Sequence, residues 1–186
     1  MKKIIFLSSK FTLLLLACYI ILGAKGSNPA DFTLYSATDS SQFVLSENKG
    51  KYIALHFLLK TECPICIRHT NDYANKARTL PDVMQVFIKP DAKEEINKWT
   101  NKIPDNTLAN FPIYRDPNAS LAKLYKIKDG YFFHGEDMHY PALILLDTTG
   151  KEIFRYVGTS NTDRYPFESL AQKIKELKAK PISNGN

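Results

Sequence analysis

Tyr52-Ile53-Ala54-Leu55-His56-Phe57-Leu58-Leu59, followed after Lys60-Thr61-Glu62 by Cys63-Pro64-Ile65-Cys66, is the stretch on which the reading of this chain turns. The apolar run has the composition and length of a buried strand. Pro64 fits the first turn of a helix, where no backbone N–H is left unsatisfied. A C-x-x-C at a strand-to-helix junction can open and close a disulfide without large backbone movement. It also sets the first sulfur at a helix N-terminus, where unpaired N–H groups and the macrodipole favour thiolate. Thiol redox chemistry is therefore expected, with Cys63 as nucleophile and Cys66, one turn further in, as resolving thiol. Glu62 opposes thiolate formation by like charge, and Arg68 and His69 can offset it.

The chain of 186 residues has three cysteines, and the third, Cys18, lies in a hydrophobic leader. Met1-Lys2-Lys3 opens a positive region, and Phe11 to Gly23 is almost unbroken apolar sequence, the pattern of an export signal. Three fates stay open. Ala24-Lys25-Gly26 has small residues spaced for cleavage before Ser27; Leu15-Leu16-Ala17-Cys18 resembles a lipobox that would lipidate Cys18; the segment could also remain as an anchor, although Lys10 shortens it. Four leader lysines account for much of the formal +6 charge, leaving +2 from Ser27 onward, so nucleic acid is not an expected partner. Export places the cysteine pair in an oxidising compartment.

Beyond the leader the elements read in order. Asp31–Leu34 and Gln42–Leu45 form two short strands around a polar turn, and Gly50-Lys51 leads into strand Tyr52–Leu59. Ile67, Ala74 and Ala77 mark a helix ended by Leu80-Pro81, Val83–Ile88 a strand, and Ile96, Trp99 and Ile103 a helix stopped at Pro104. Leu121, Leu124 and Tyr125 mark a third helix. Ala142–Leu146 has the continuous apolar character of a strand buried on both faces, Asp147-Thr148-Thr149-Gly150 turns into Glu152–Val157, and Phe167, Leu170, Ile174 and Leu177 stripe the last helix. This order implies an α/β fold. A mixed central β-sheet is flanked by helices on both faces, an N-terminal β-hairpin extends it, and the cysteine pair sits at the C-terminal end of a strand. Residues 1–26 are expected to be a signal peptide or anchor, 27–180 one domain, and 181–186 a tail.

Other uses of the pair are weighed against redox cycling. A static disulfide here closes too short a loop to be a useful staple. A metal site could join Cys63 and Cys66 to a histidine. His134 and His139 have finger-like spacing but lie too far from Cys66 for a zinc finger. The pair is followed by Ile67 rather than His, which excludes c-type haem attachment. His56 reads as a hydrogen-bonded interior histidine, with a proton shuttle to the disulfide as the alternative. Tyr131-Phe132-Phe133-His134 is either a loop packed over the sheet or a hydrophobic lip for a partner protein.

Asp31-Phe32-Thr33-Leu34, Gly50-Lys51-Tyr52-Ile53, Cys63-Pro64-Ile65-Cys66, Tyr140-Pro141-Ala142, Asp147 to Glu152 and Tyr156-Val157-Gly158 together resemble the thioredoxin superfamily, in its AhpC/TSA–redoxin and TlpA/ResA-like branch. The resemblance implies a thioredoxin fold. It also implies a cis Tyr140–Pro141 bond beside the disulfide, with the Tyr140 backbone free to pair with an extended peptide. Three departures stand out. No Trp precedes Cys63, Thr61 is too close to Cys63 for the peroxiredoxin pattern, and Pro141 stands where peroxiredoxins place an Arg. The implied function is an exported thiol–disulfide oxidoreductase acting on protein thiols and disulfides with a redox partner protein. It would be monomeric, touch the membrane only through its leader in the periplasm or at the outer face of the cytoplasmic membrane, and use no cofactor beyond the Cys63–Cys66 disulfide. The alternatives are a peroxiredoxin-like thiol peroxidase and a copper-binding carrier in which His139 would be the third ligand. The expectation is that His139 points away from the sulfurs.

Overall fold

The computed structural model describes residues 31–179 apart from 61, 105, 106, 108, 109 and 134. The leader with Cys18, the 181–186 tail, Thr61 and His134 lie outside the described residues. The elements are β1 (Thr33–Tyr35), β2 (Gln42–Val44), β3 (Tyr52–Phe57), α1 (Pro64–Lys76), β4 (Val83–Lys89), α2 (Lys93–Thr100), β5 (Ile113–Arg115), α3 (Ser120–Leu124), β6 (Asp129–Phe133), β7 (Glu136–His139), β8 (Ala142–Leu146), β9 (Glu152–Val157) and α4 (Phe167–Ala179). Five strands form the central sheet in the order β5-β4-β3-β8-β9. Strands β3, β4 and β5 run parallel, and β8 is antiparallel to both β3 and β9. This is the mixed sheet of a thioredoxin-like fold.

Side-chain alternation sorts the sheet into two cores. Ala54 and Leu58 of the β3 segment and Leu143 and Leu145 of β8 face a cluster with Tyr73 of α1, Ile96 and Trp99 of α2, and Leu170 and Ile174 of α4. Ile53, Leu55 and Phe57, with Ile144 and Leu146, face Leu121 and Ala122 of α3 and Leu34 and Phe43 of the β1–β2 hairpin. Every residue of β8 is buried, as its unbroken apolar sequence requires. The β8–β9 turn depends on Gly150, at φ +86°, and on Asp147, whose carboxylate accepts the N–H groups of Thr149 and Lys151. Among the described residues no helix is long and apolar enough to cross a membrane.

Three strands were not anticipated from sequence. β5 is only three residues long, too short for a periodic signal. β6 and β7 pair only with each other. Their hairpin is largely half-buried or exposed, so it lacks the alternation that marks a core strand. The strand beginning at Val83 also runs one residue beyond its apolar stretch, to Lys89, which is fully buried.

Candidate active site

Cys63 ends the connection from β3 as the N-cap of α1, and Pro64 follows as the first helical residue. The Cys63 sulfur accepts the Cys66 backbone N–H at 3.1 Å, and the Cys63 carbonyl accepts the N–H of Ile67 at 3.2 Å. One sulfur therefore receives an orphan donor of the helix start, the arrangement that favours thiolate once the bond is reduced. Cys63 and Cys66 are joined as a disulfide. Cys63 retains 7% of its surface and Cys66 none, so the first sulfur is the one a partner can approach.

A buried network fixes the loop before the helix. Lys89 Nζ, at the end of β4, donates to the Leu59 carbonyl at 2.8 Å and to Asp91 at 2.6 Å, and lies 5.1 Å from the centre of the Trp99 ring. The Trp99 indole N–H in turn reaches the Cys63 carbonyl at 3.4 Å. Burial pushes the Lys89 ammonium down from its ordinary range, and the adjacent Asp91 carboxylate opposes that.

The cation facing the sulfurs is Arg164, from the loop between β9 and α4. Its Nη2 lies 3.2 Å from Cys66 Sγ and 3.5 Å from Cys63 Sγ. Nη1 donates to the carbonyls of Asn161 and Asp163, while Nε is buried without a partner among the described residues. Asp163 shapes that loop, accepting from Tyr156 Oη and from the N–H and hydroxyl of Thr159. Burial brings the guanidinium down to about 10. Arg164 is 98 residues from Cys66 in sequence, and nothing in its local pattern signals the contact. Arg68, expected near the sulfurs, is exposed, and Glu62 pairs with Lys102 at 3.4 Å.

His56 of β3, buried, and His69 of α1, half-buried, form a pair. His56 Nε2 lies 2.8 Å from Gln85 Oε1 and His56 Nδ1 lies 3.1 Å from His69 Nε2. The Gln85 amide N–H is directed to the Val83 carbonyl, which assigns its oxygen to His56. His56 then carries its proton on Nε2, His69 donates from Nε2, and His69 Nδ1 keeps its lone pair. Burial lowers His56 to about 4. It also holds His69 well below the usual imidazole range, helped by His56 and by the charge of Arg164. His56 stacks on Phe87 and meets the edge of Tyr73, so it is a satisfied interior histidine.

Two expectations at Tyr140-Pro141 need correction. Among the described residues no peptide bond is cis, so the Tyr140–Pro141 bond is trans. Trans is the intrinsically favoured isomer. Here the β6–β7 hairpin delivers the chain directly into β8, with Tyr140 N–H bonded to the Lys128 carbonyl and the Pro141 carbonyl bonded to Gly158 N–H. The Tyr140 carbonyl accepts from His139 Nδ1 at 2.7 Å. The backbone of Tyr140 is thus spent inside the fold rather than offered to a peptide. Pro141 still borders a small cavity of about 10 Å³ shared with His69 and with Arg164, whose guanidinium reaches the sulfurs. His139 packs edge-on to Phe57, on the sheet face opposite the cysteines. Among the described residues no group of three or more His, Cys, Asp or Glu is placed to hold a metal ion.

The fold is shared with known redox proteins. The exposed lipoprotein thioredoxin Etrx1 of Streptococcus pneumoniae superposes with a TM-score of 0.62 at 22% identity, over 79% of this chain and 99% of that one. A Chlorobium tepidum protein described as a DsbE-type thiol:disulfide interchange protein gives 0.59 at 22% identity, over 83% and 96%. AhpC of Enterococcus faecalis gives 0.67 at 16% identity, over 82% and 91%. At these identities the likeness is one of fold. No curated protein matches the chain. Residues 26–152 match the model of the AhpC/TSA family, and with the thioredoxin-like sheet and the Cys63–Cys66 pair in place, the chain belongs to that family.

Proposed function

We propose that this protein is an exported thiol–disulfide oxidoreductase acting on protein substrates. The observation that carries the reading is the disulfide itself. Its outer sulfur, Cys63, caps a helix; its inner sulfur, Cys66, is fully buried; and the Arg164 guanidinium faces both. In exchange, a client thiolate attacks Cys63 Sγ. The Cys63–Cys66 bond breaks, a client–Cys63 bond forms, and Cys66 leaves as a thiolate beside Arg164. The client's second thiolate then closes the client disulfide and releases Cys63, so two electrons pass from client to protein. The same steps in reverse reduce a client disulfide. Pro64 starts the helix that presents Cys63, and Tyr140 and Pro141 hold the adjoining strand rather than contact the client. His56 braces α1 from the sheet through its bond to His69. The leader, together with an exposed lipoprotein thioredoxin among the proteins of like fold, supports an extracytoplasmic setting. No cofactor beyond the disulfide is required. The test is trapping: Cys66→Ser should accumulate mixed disulfides with clients, whereas Cys63→Ser should not. Equal trapping by both variants, or none by either, refutes the mechanism.

A second reading, thiol peroxidase, draws on one observation. Arg164 supplies a cation near Cys63 Sγ despite the proline at position 141. Stopped-flow oxidation of reduced Cys63 by hydrogen peroxide separates the two. Exchange chemistry alone predicts the rate of an ordinary low-pKa thiol, and a rate orders of magnitude higher favours the peroxidase.

A further inference from the structure

The β6–β7 hairpin stands beside the disulfide with its own backbone anchored inward. Tyr140 N–H and C=O are both bonded within the fold, and the Tyr140 ring lies flat against Gly130, where a Cβ would fall 2.3 Å from the ring. A client therefore cannot be held there by strand pairing at residue 140. On the side of the catalytic sulfur, the hairpin presents Tyr131, Phe132 and Phe133. With Pro64, Ile65 and Cys63 they line an open groove of about 670 Å³. Phe132 stands at its rim with 71% of its surface exposed, contiguous with Tyr131, Phe133, Pro64 and Ile65, and it is such a contiguous apolar surface, not a single exposed ring, that marks an interaction site. The charged residues at the mouth are paired off, Lys60 with Glu136 at 2.7 Å and Glu62 with Lys102. The groove thus offers apolar surface and little unbalanced charge, and its wall contains the reactive sulfur.

We propose that this groove seats the apolar residues that flank the reacting cysteine of a client polypeptide, and that Phe132 is its specificity-determining contact. The occupant follows from two features. Cys63 in the wall requires a chain that brings a sulfur, and the neutralised mouth selects an uncharged apolar flank. The assignment rests on the thiol-exchange reading. It substitutes side-chain burial on the hairpin for backbone pairing as the means of recognition.

The test uses the oxidised protein and two reduced dithiol peptides of equal charge, one with Phe and one with Ser beside the attacking cysteine. In each reaction the peptide loses two electrons and two protons to become a disulfide, and the Cys63–Cys66 disulfide gains them. The expected result is a second-order rate about tenfold higher for the Phe peptide, the scale of one apolar contact. The preference should collapse towards unity in F132S and persist in F132L. A wild-type ratio near unity, or a ratio that F132S leaves intact, overturns the groove assignment while the exchange reading stands. No reaction with either peptide, nor between the reduced protein and the corresponding peptide disulfides, removes both. Selectivity confined to an apolar organic hydroperoxide over hydrogen peroxide, and lost in F132S, overturns it in favour of a peroxide occupant.

Discussion

Acidification from about pH 7 to about pH 4 should destabilise the protein through the histidine pair that joins β3 to α1. His56 is fully enclosed and titrates at about 4 in the fold, against 6.5 for the free side chain, because burial penalises its charged form. The unfolded chain therefore binds the proton first. The stability that His56 contributes is complete above 6.5, falls as pH drops through that value, and stops changing below about 4. At about 1.4 kcal/mol for each pH unit of that window, the loss is about 2 kcal/mol by pH 5 and about 3 kcal/mol at its floor. His69 and His139, both lowered chiefly by burial, act in the same direction. Asp163, held below the usual carboxylate range by the Tyr156 hydroxyl, begins to matter only at lower pH. Urea denaturation of the oxidised protein at several pH values measures the slope, and His56→Gln removes the principal titrating group. A stability profile flat between pH 6.5 and 5, or a slope that His56→Gln leaves unaltered, would refute the reasoning.

Further outcomes follow from the same geometry. Limiting alkylation of the reduced protein should label Cys63 ahead of Cys66, since only Cys63 retains surface; preferential adducts on Cys66, mapped by mass spectrometry, would reverse their roles. Arg164→Met should raise the thiol pKa of Cys63 by roughly one unit and make the reduction potential more negative by about 30 mV, because a cation favouring the thiolates favours the reduced state. An unchanged thiolate absorbance titration would count against that role. Ile144→Ala, at a fully buried position in β8, should cost about 2–5 kcal/mol of unfolding free energy, read by denaturant titration.

The parts of the molecule legible in its residues are those governed by local pattern. β8 and β9 were readable because an apolar run, an Asp–Gly turn and a following strand are consecutive. Helix α1 and its capping cysteine were readable because Pro64 announces a helix start. The N-terminal hairpin and the mixed sheet followed from element order. Arg164 was not readable, since its contact with the sulfurs depends on how the β9–α4 loop folds back across the sheet. The β6–β7 hairpin pairs only with itself and is little buried, so Tyr131 to Phe133 carry no core alternation that separates a strand from a loop or lip. The cis expectation at Pro141 came from resemblance, and it failed where this chain departs locally: the hairpin captures Tyr140 before the strand begins. Lys89 follows directly on the apolar stretch Val83–Ile88, and no local pattern signals that its ammonium is enclosed with Asp91.

That enclosed ammonium has a bearing on how little the protein needs to rearrange. Lys89 grips the Leu59 carbonyl and, through Trp99, the Cys63 carbonyl is held as well, so the connection between β3 and α1 is pinned at both ends from behind. With both carbonyls held in this way, opening the disulfide asks for rotation of two side chains rather than movement of the main chain at Leu59 and Cys63. Little reorganisation energy is added to each exchange. Loss of Lys89 would leave Asp91 buried without its ammonium partner, at a cost of about 3–5 kcal/mol. A single change at Lys89 would therefore do two things at once, releasing the Leu59 carbonyl ahead of the redox pair and stranding the Asp91 carboxylate in the interior.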